Sequence, residues 1–223
     1  MSIIETNNYK VTKASSFNFN IQIKGDHKHK ILKSLSKTRI LNNSFIDNDS
    51  MHFTAERIET LKDFLLKQSN TKLTNIGCIQ LLKTITKQIK YLESINATFY
   101  GFNIEDILVI DEINYIIVSG EYILPIQDNN ISFYNPFSRP YFSSPEILKL
   151  TKLPSNIDYR CCYYSLGALL VFCILNTNLL VGNEIKSDKD IEILLVPIYD
   201  TNVYWFLKRC LNSDILKRIL LLV

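Results

Sequence analysis

The sequence predicts an α+β fold in which a small β-rich lobe leads into a larger helical one. Three observations predict it. Phe17-Asn18-Phe19-Asn20-Ile21-Gln22-Ile23-Lys24 alternates apolar and polar residues with a period of two, the pattern of a half-buried strand. Ile76, Ile79, Leu82, Ile85, Ile89 and Leu92 recur every three or four residues, laying one apolar stripe along a helix of roughly twenty residues. The segment from Tyr163 to Leu175 is apolar on almost every side, as a helix at the centre of a lobe must be.

Along the chain, strand material runs from Tyr9 to Lys24. Asp26 is placed to cap a short basic helix reaching about Lys37, and Thr38 to Ile46 and Ser50 to Glu56 read as two further strands around the polar turn Asp47-Asn48-Asp49. The period then becomes helical, first over Glu59 to Gln68 and then in the long helix opened by Thr74. Ile107 to Ile110 and Tyr115 to Val118, separated by Asp111-Glu112-Ile113-Asn114, suit a small hairpin. A Pro- and Asn-rich loop follows to about Ser143, and the remainder is helical, with an amphipathic segment near Val203 to Asn212. The simplest division is residues 1–57 and 58–223.

With 223 residues, 47% hydrophobic and 21% charged, the chain supports a sizeable core. The net charge of +3 hides a split: 15 Lys/Arg against 8 Asp/Glu before Ile95, and 10 against 14 from there on. The basic residues are scattered among apolar ones, which reads as a solvated face and gives no sign of a nucleic-acid partner. His27-Lys28-His29 has no CxxC or HExxH spacing beside it, so no metal site follows. Five cysteines, at 78, 161, 162, 173 and 210, lack a disulfide framework and read as reduced core residues in a cytoplasm-like compartment. The first residues show no secretory pattern, and the longest apolar run, Leu166 to Leu175, is about half of what a membrane span needs.

From about residue 51 onward the order of elements resembles a protein kinase. Met51 to Glu56 followed by Leu61-Lys62-Asp63-Phe64-Leu65 looks like the last N-lobe strand, the hinge and the first C-lobe helix. The helix ending in Tyr91-Leu92-Glu93-Ser94 resembles the one before the catalytic loop, and Ser144-Pro145-Glu146 the Ala-Pro-Glu motif. Tyr164-Ser165-Leu166-Gly167 matches the start of the central buried helix, and Cys210-Leu211-Asn212 through Arg218 the penultimate helix and its Arg. The resemblance implies a protein-kinase-like two-lobed fold with a reduced N-terminal lobe and a helical C-terminal lobe. It also implies a buried ion pair between Glu146 and Arg218 that clamps the substrate-side loop.

The same alignment implies that the chemistry is lost. Setting Glu105-Asp106-Ile107-Leu108 on the kinase Glu-Asn-Ile-Leu puts Phe99-Tyr100-Gly101 where His-Arg-Asp belongs, and a glycine cannot orient or deprotonate a substrate hydroxyl. Asp106 takes the metal-binding Asn position, the one candidate metal ligand there. Val118-Ser119-Gly120 falls on Asp-Phe-Gly, and valine cannot coordinate magnesium. The only glycine before Gly77 is Gly25, so no phosphate-cradling loop is present. Lys24, ending Ile21-Gln22-Ile23-Lys24, is the candidate cofactor-contacting lysine, yet no Glu lies between it and Glu56 to hold it. Cys162 replaces the Asp that opens the central helix, and Asp158, four residues earlier, is the candidate to compensate.

The resemblance therefore implies a pseudokinase that needs no cofactor and binds a protein, a host kinase or its substrate, as a regulator, decoy or scaffold. Small kinase-like proteins of this kind occur in large DNA viruses, and an Asn-, Ile- and Lys-rich composition suits such genomes along with many other AT-rich ones. Two alternatives stay open. One is residual nucleotide binding through Lys24, Asp106 and an acid among Asp111, Glu112 and Glu121; the other is a structural or virion protein that reuses the fold. For partner binding, the aromatic cluster Phe133, Tyr134, Phe137, Tyr141 and Phe142 is the candidate surface, set against a loop packed on its own lobe.

Overall fold

The alternation of the first fifty residues becomes a five-stranded antiparallel sheet in the computed structural model, which describes residues 2–181 and 184–221. Its strands are β1 (Ser2–Glu5), β2 (Tyr9–Lys13), β3 (Asn18–Ile23), β4 (Asn42–Asp47) and β5 (Ser50–Thr54), in the order β1-β2-β3-β5-β4. The register sets Phe19 opposite Phe53 and Ile21 opposite Met51. One face therefore buries Tyr9, Val11, Phe19, Ile21, Ile23, Met51 and Phe53 while the other stays wet. Helix α1 (Lys28–Thr38), between β3 and β4, covers this face with Ile31, Leu32 and Leu35.

Two boundaries differ from expectation. His27, not Asp26, stands at the N-cap of α1, and it makes no side-chain cap hydrogen bond. Thr38 belongs to the helix because its hydroxyl donates back to the Ser34 carbonyl at 2.6 Å, and the chain turns only at Arg39, in the left-handed region at φ 50°.

Strand β6 (Ile58–Thr60) leads into α2 (Leu61–Lys67), capped by Thr60, whose hydroxyl accepts from Asp63 N. The long helix α3 (Asn75–Ser94) begins where Thr74 accepts from Gly77 N. Its buried stripe is Cys78, Leu81, Leu82, Ile85, Ile89 and Leu92. Ile76, expected in that stripe, is 70% exposed. It lies seven residues before Lys83, two turns up the same solvent face.

Strands β7 (Ala97–Phe99) and β8 (Gly101–Phe102) follow, then the hairpin of β9 (Ile107–Ile110) and β10 (Asn114–Ile117), which packs on α3 and pairs with β6. The hairpin turns through Asp111 and Glu112, at φ 52° and 62°. The Gln88 side chain on α3 locks β10 in place, accepting from Ile117 N at 2.8 Å and donating to Ile117 O at 3.1 Å.

The segment expected as a loop to Ser143 contains β11 (Ile123–Pro125) on β7, β12 (Asn130–Phe133), and β13 (Phe142–Ser143) on β8. Asp128 and Asn129, both at positive φ, turn the chain into β12, which pairs with β14 (Ser155–Asp158) beyond the short helix α4 (Pro145–Leu148). The Asn and Asp residues that mark this stretch as a loop thus serve as its turns.

Helix α5 (Cys161–Leu175) is buried along almost its whole length, as its all-round apolarity predicts. Gly167 lets α7 (Asn202–Cys210) approach, since a Cβ there would stand 2.8 Å from Leu211 Cδ2. Between them α6 (Asp188–Leu195) is capped by Ser187, whose hydroxyl accepts from Asp190 N. One apolar cluster continues across residue 57, from Tyr9 in the sheet to Leu220. A second gathers Tyr100, Tyr122, Ile131, Phe133 and Ile147. No helix among the described residues is long and apolar enough to cross a membrane.

Candidate functional site: a filled cleft beside an open groove

The segment 99–101, the hairpin and the β1–β2 turn meet in a cleft between the sheet and the helical part. Gly101 sits against the next layer of chain: a Cβ there would lie 2.1 Å from Pro140 Cγ and 2.8 Å from the Phe142 carbonyl. No side chain fits at that position, a carboxylate least of all. Phe99 and Tyr100, just before it in the chain, are buried, Tyr100 donating from its hydroxyl to the Ser138 carbonyl at 3.2 Å.

Val118 is fully buried and its amide donates to the Asp106 carbonyl at 2.9 Å, and Ser119 accepts from Glu121 N. Gly120 faces His27 at the start of α1, whose Cβ would come within 2.8 Å of an added methyl. The three positions close the floor of the cleft and hold the helix against it.

Asp106 is 94% buried and, among the described residues, the only acid on that floor, with Glu121 at its edge. The Asn8 amide donates to Asp106 Oδ1 at 3.0 Å and to Glu121 Oε2 at 2.9 Å, so one side chain from the β1–β2 turn plugs the space between them. Tyr9 donates its hydroxyl to the Glu105 carbonyl at 2.7 Å and closes the same seam. The space left among Gly101, Asn103, Asp106, Ser119 and Tyr122 is about 10 Å³, room for one water at most. Asp106 Oδ2 has no hydrogen-bond partner. Burial, with Glu121 and Glu105 nearby, pushes the Asp106 pKa up to about 6 against the hydrogen bond from Asn8.

Lys24 donates to the Thr6 carbonyl at 2.8 Å and lies 3.7 Å from Glu5, tying the sheet edge together. Among the other acids, Asp111 accepts from the Glu56 and Arg57 amides and Glu112 pairs with Arg57, so both serve the hairpin turn. No group of three His, Cys, Asp or Glu among the described residues is placed to hold a metal ion. All five cysteines are buried free thiols, and burial holds each pKa well above the ordinary range, which removes them as nucleophiles.

Away from the cleft, Arg218 is 1% exposed and grips Glu146 with two bonds, Nη1 to Oε2 at 3.0 Å and Nη2 to Oε1 at 2.7 Å. Its Nε donates to the Asn212 carbonyl, and the guanidinium lies 4.9 Å from the Tyr164 ring centre. Burial acts to raise the Glu146 pKa, but the Arg218 bonds and charge outweigh it and leave the carboxyl below its ordinary value. Asp158 does not compensate for Cys162. It turns to Arg160, accepting from Nε and Nη2 at 2.8 Å each, while Ser165 Oγ on α5 lies 3.4 Å from the Tyr100 carbonyl. The carboxylate is held by the neighbour two positions along its own chain, a far shorter reach than the floor of the cleft.

The aromatic cluster does not form one surface. Phe133 and Phe142 are buried, and Phe137 packs edge-on to Tyr100 at 5.7 Å and tilted on Phe133 at 4.4 Å. Only Tyr134 and Tyr141 are exposed, at 69% and 53%, with Tyr141 accepting from Asn178 Nδ2. Strands β12 and β13 turn Phe133 and Phe142 inward.

Tyr141 instead borders a groove of about 530 Å³ that no sequence pattern indicated. Leu65, Ile104, Phe142 and Phe172 line it, Leu66 stands 65% exposed at its edge, and the Lys62–Glu105 ion pair at 2.7 Å lies on the rim. Its residues come from α2, the turn before β9, β13 and the end of α5, so it exists only once these are packed. No protein-family model matches the chain, and no curated protein matches it in sequence.

Proposed function

We propose that this chain is a catalytically inactive protein-kinase-like protein that acts by binding a segment of another protein in its groove, as a regulator, decoy or scaffold. A true kinase or a kinase substrate is the partner class. The kinase-like part of the reading is supported by the strand order with one helix inserted between β3 and β4, by the long helix leading to residues 99–101, and by the Glu146–Arg218 pair.

One observation carries the functional part: Asn8 bridges Asp106 and Glu121, and the space among Gly101, Asn103, Asp106, Ser119 and Tyr122 is only about 10 Å³, while the neighbouring groove stands open at about 530 Å³. A nucleotide has no room in the first. The second has the size and the apolar lining of a recognition pocket, with a few polar groups at its rim. Residual nucleotide binding would require Asn8 to leave and Asp106 to lose its hydrogen bond from that side chain.

The test is selection of extended peptides from a random library against the full chain. Selected peptides are expected to lose binding at least about tenfold on Leu66→Glu, which places a charge at the groove edge, and to be unaffected by Ile193→Glu on α6. Failure to select any peptide, or peptides indifferent to Leu66→Glu, would overturn the assignment.

A further inference from the structure

The connection between α6 and α7 gathers aromatic rings at the surface. After Leu195 the chain makes one short helical turn, Val196–Ile198, and Asp200 then reverses it in the left-handed region at φ 59°, which aspartate tolerates better than most residues. Thr201 fixes the reversal from both sides. Its hydroxyl donates to the Ile198 carbonyl at 2.8 Å and accepts from Tyr204 N at 3.1 Å, so the turn lays Tyr199 against the start of α7.

The ring centres of Tyr199 and Tyr204 lie 5.0 Å apart with their planes at 58°, and those of Tyr204 and Trp205 lie 5.0 Å apart at 77°. The Trp205 indole Nε1 donates to Asp200 Oδ1 at 3.2 Å, and Asp200 directly follows Tyr199. Three rings and one carboxylate thus close a circuit. It belongs to the surface: Tyr199 is 65% and Trp205 44% exposed, with Tyr204 half-buried between them. None of the four residues lines the groove.

The chemistry of the circuit specifies its ligand. Ring faces carry negative potential, and rings steeply inclined to one another make a corner that suits a rounded cation better than a flat group. Tyr159 and Tyr164 each hold an arginine, at 5.8 and 4.9 Å from the ring centre, but no lysine or arginine among the described residues lies over Tyr199, Tyr204 or Trp205. The basic side chains one turn further along α7 are engaged elsewhere, Lys208 with Glu192 at 2.5 Å and Arg209 with the Leu221 carbonyl at 3.2 Å. Asp200 adds a negative charge beside the rings and makes no ion pair among the described residues. It also occupies the one donor with which the indole could hold a peptide carbonyl, which disfavours a proline-rich segment. A primary ammonium is strongly hydrated and loses that water on entering; an alkylated one is weakly hydrated and packs its methyl groups on the ring faces. We propose that Tyr199, Tyr204, Trp205 and Asp200 form a half-cage that binds a quaternary ammonium group.

Trp205 is the only tryptophan of the chain, so intrinsic fluorescence reads the site directly. The full chain is titrated with choline, with a peptide carrying trimethyllysine, with the same peptide carrying plain lysine, and with the neutral alcohol in which carbon replaces the choline nitrogen. Choline or the trimethylated peptide is expected to give a saturable change, with the neutral alcohol and the plain peptide at least about fivefold weaker. A trimethylated peptide that binds more tightly than choline assigns the group to a protein side chain; equal affinity assigns it to a free cation. Tyr199→Phe should keep binding, whereas Tyr199→Leu, apolar but without a ring face, should weaken it about threefold or more. Asp200→Asn, which retains an acceptor for the indole and the left-handed turn, should weaken binding and flatten its salt dependence. Both positions are exposed, so thermal melts equal to that of the unmodified chain are expected and show that folding is intact. No saturable change with any ammonium compound at tens of millimolar, equal binding of the neutral alcohol, or indifference to Tyr199→Leu would each overturn the proposal.

Discussion

Asn8 and Asp106, 98 positions apart in the chain, are joined by a 3.0 Å hydrogen bond that bolts the first turn of the sheet onto the floor of the cleft. The same amide reaches Glu121, so Asn8 satisfies two carboxylates at once. Asn8→Ala should lower stability by about 1–2 kcal/mol, since it removes a donor from the mostly buried Asp106. Chemical denaturation of the two proteins side by side checks this, and equal midpoints would mean that the bond contributes nothing.

Asp106 also sets a pH dependence of unusual sign. Its folded pKa, raised to about 6, lies above the unfolded value, so the folded state holds the proton more tightly. Its contribution is most favourable below about pH 4 and is lost as pH rises toward 6. Asp106→Asn keeps an acceptor for Asn8 and removes the charge. It should raise stability at pH 7.5 by about 1–3 kcal/mol and leave stability at pH 4 nearly unchanged. A variant that gains equally at both pH values would separate the effect from ionisation. Glu146 works in the opposite direction: its lowered pKa gives stability above the ordinary carboxylate range that is lost as pH falls.

Arg218→Ala is expected to cost about 3–5 kcal/mol, because Glu146 keeps its charge in a mostly buried place and the Tyr164 face loses its cation. Replacing both partners, Arg218→Met with Glu146→Leu, should recover much of that loss. Equilibrium unfolding of the single and double variants decides the matter; a double variant as weak as the single one would show that packing of the arginine stem, not its charge, is what counts.

Acids placed at positions 101 and 118 should not create phosphotransfer activity. Gly101→Asp must displace Pro140 or the Phe142 carbonyl, so it should destabilise by about 1–3 kcal/mol. Combined with Val118→Asp it should yield a poorly folded chain without phosphotransfer, as followed by melting and radiolabel incorporation. A stable double variant would require the cleft to be roomier than Pro140 makes it.

Much of the fold was legible where a local pattern coincides with burial. Thr74 and the apolar period locate α3, the 107–118 hairpin follows from its strands and turn, and the apolar run locates α5. The Glu146–Arg218 contact spans 72 positions, and only the resemblance of its flanking motifs pointed to it. What escaped was settled by contacts between distant segments. Period alone puts Ile76 in the core stripe, yet the helix begins before the core reaches it. Asn, Asp and Pro residues announced a loop that is in fact three short strands with turns. Asn8 carries no motif, since an asparagine in a tight turn is ordinary until its partner in the cleft is known. The groove, drawn from four segments, has no signature along the chain.

The central claim is that the cleft has no room for a nucleotide, and a thermal melt of the full chain with and without millimolar magnesium-ATP tests it most directly. A ligand bound only by the native state raises Tm, by several degrees when present at about 100 times its Kd. The account predicts an unchanged Tm. A rise of more than about 2 °C that disappears in Asp106→Ala would contradict it.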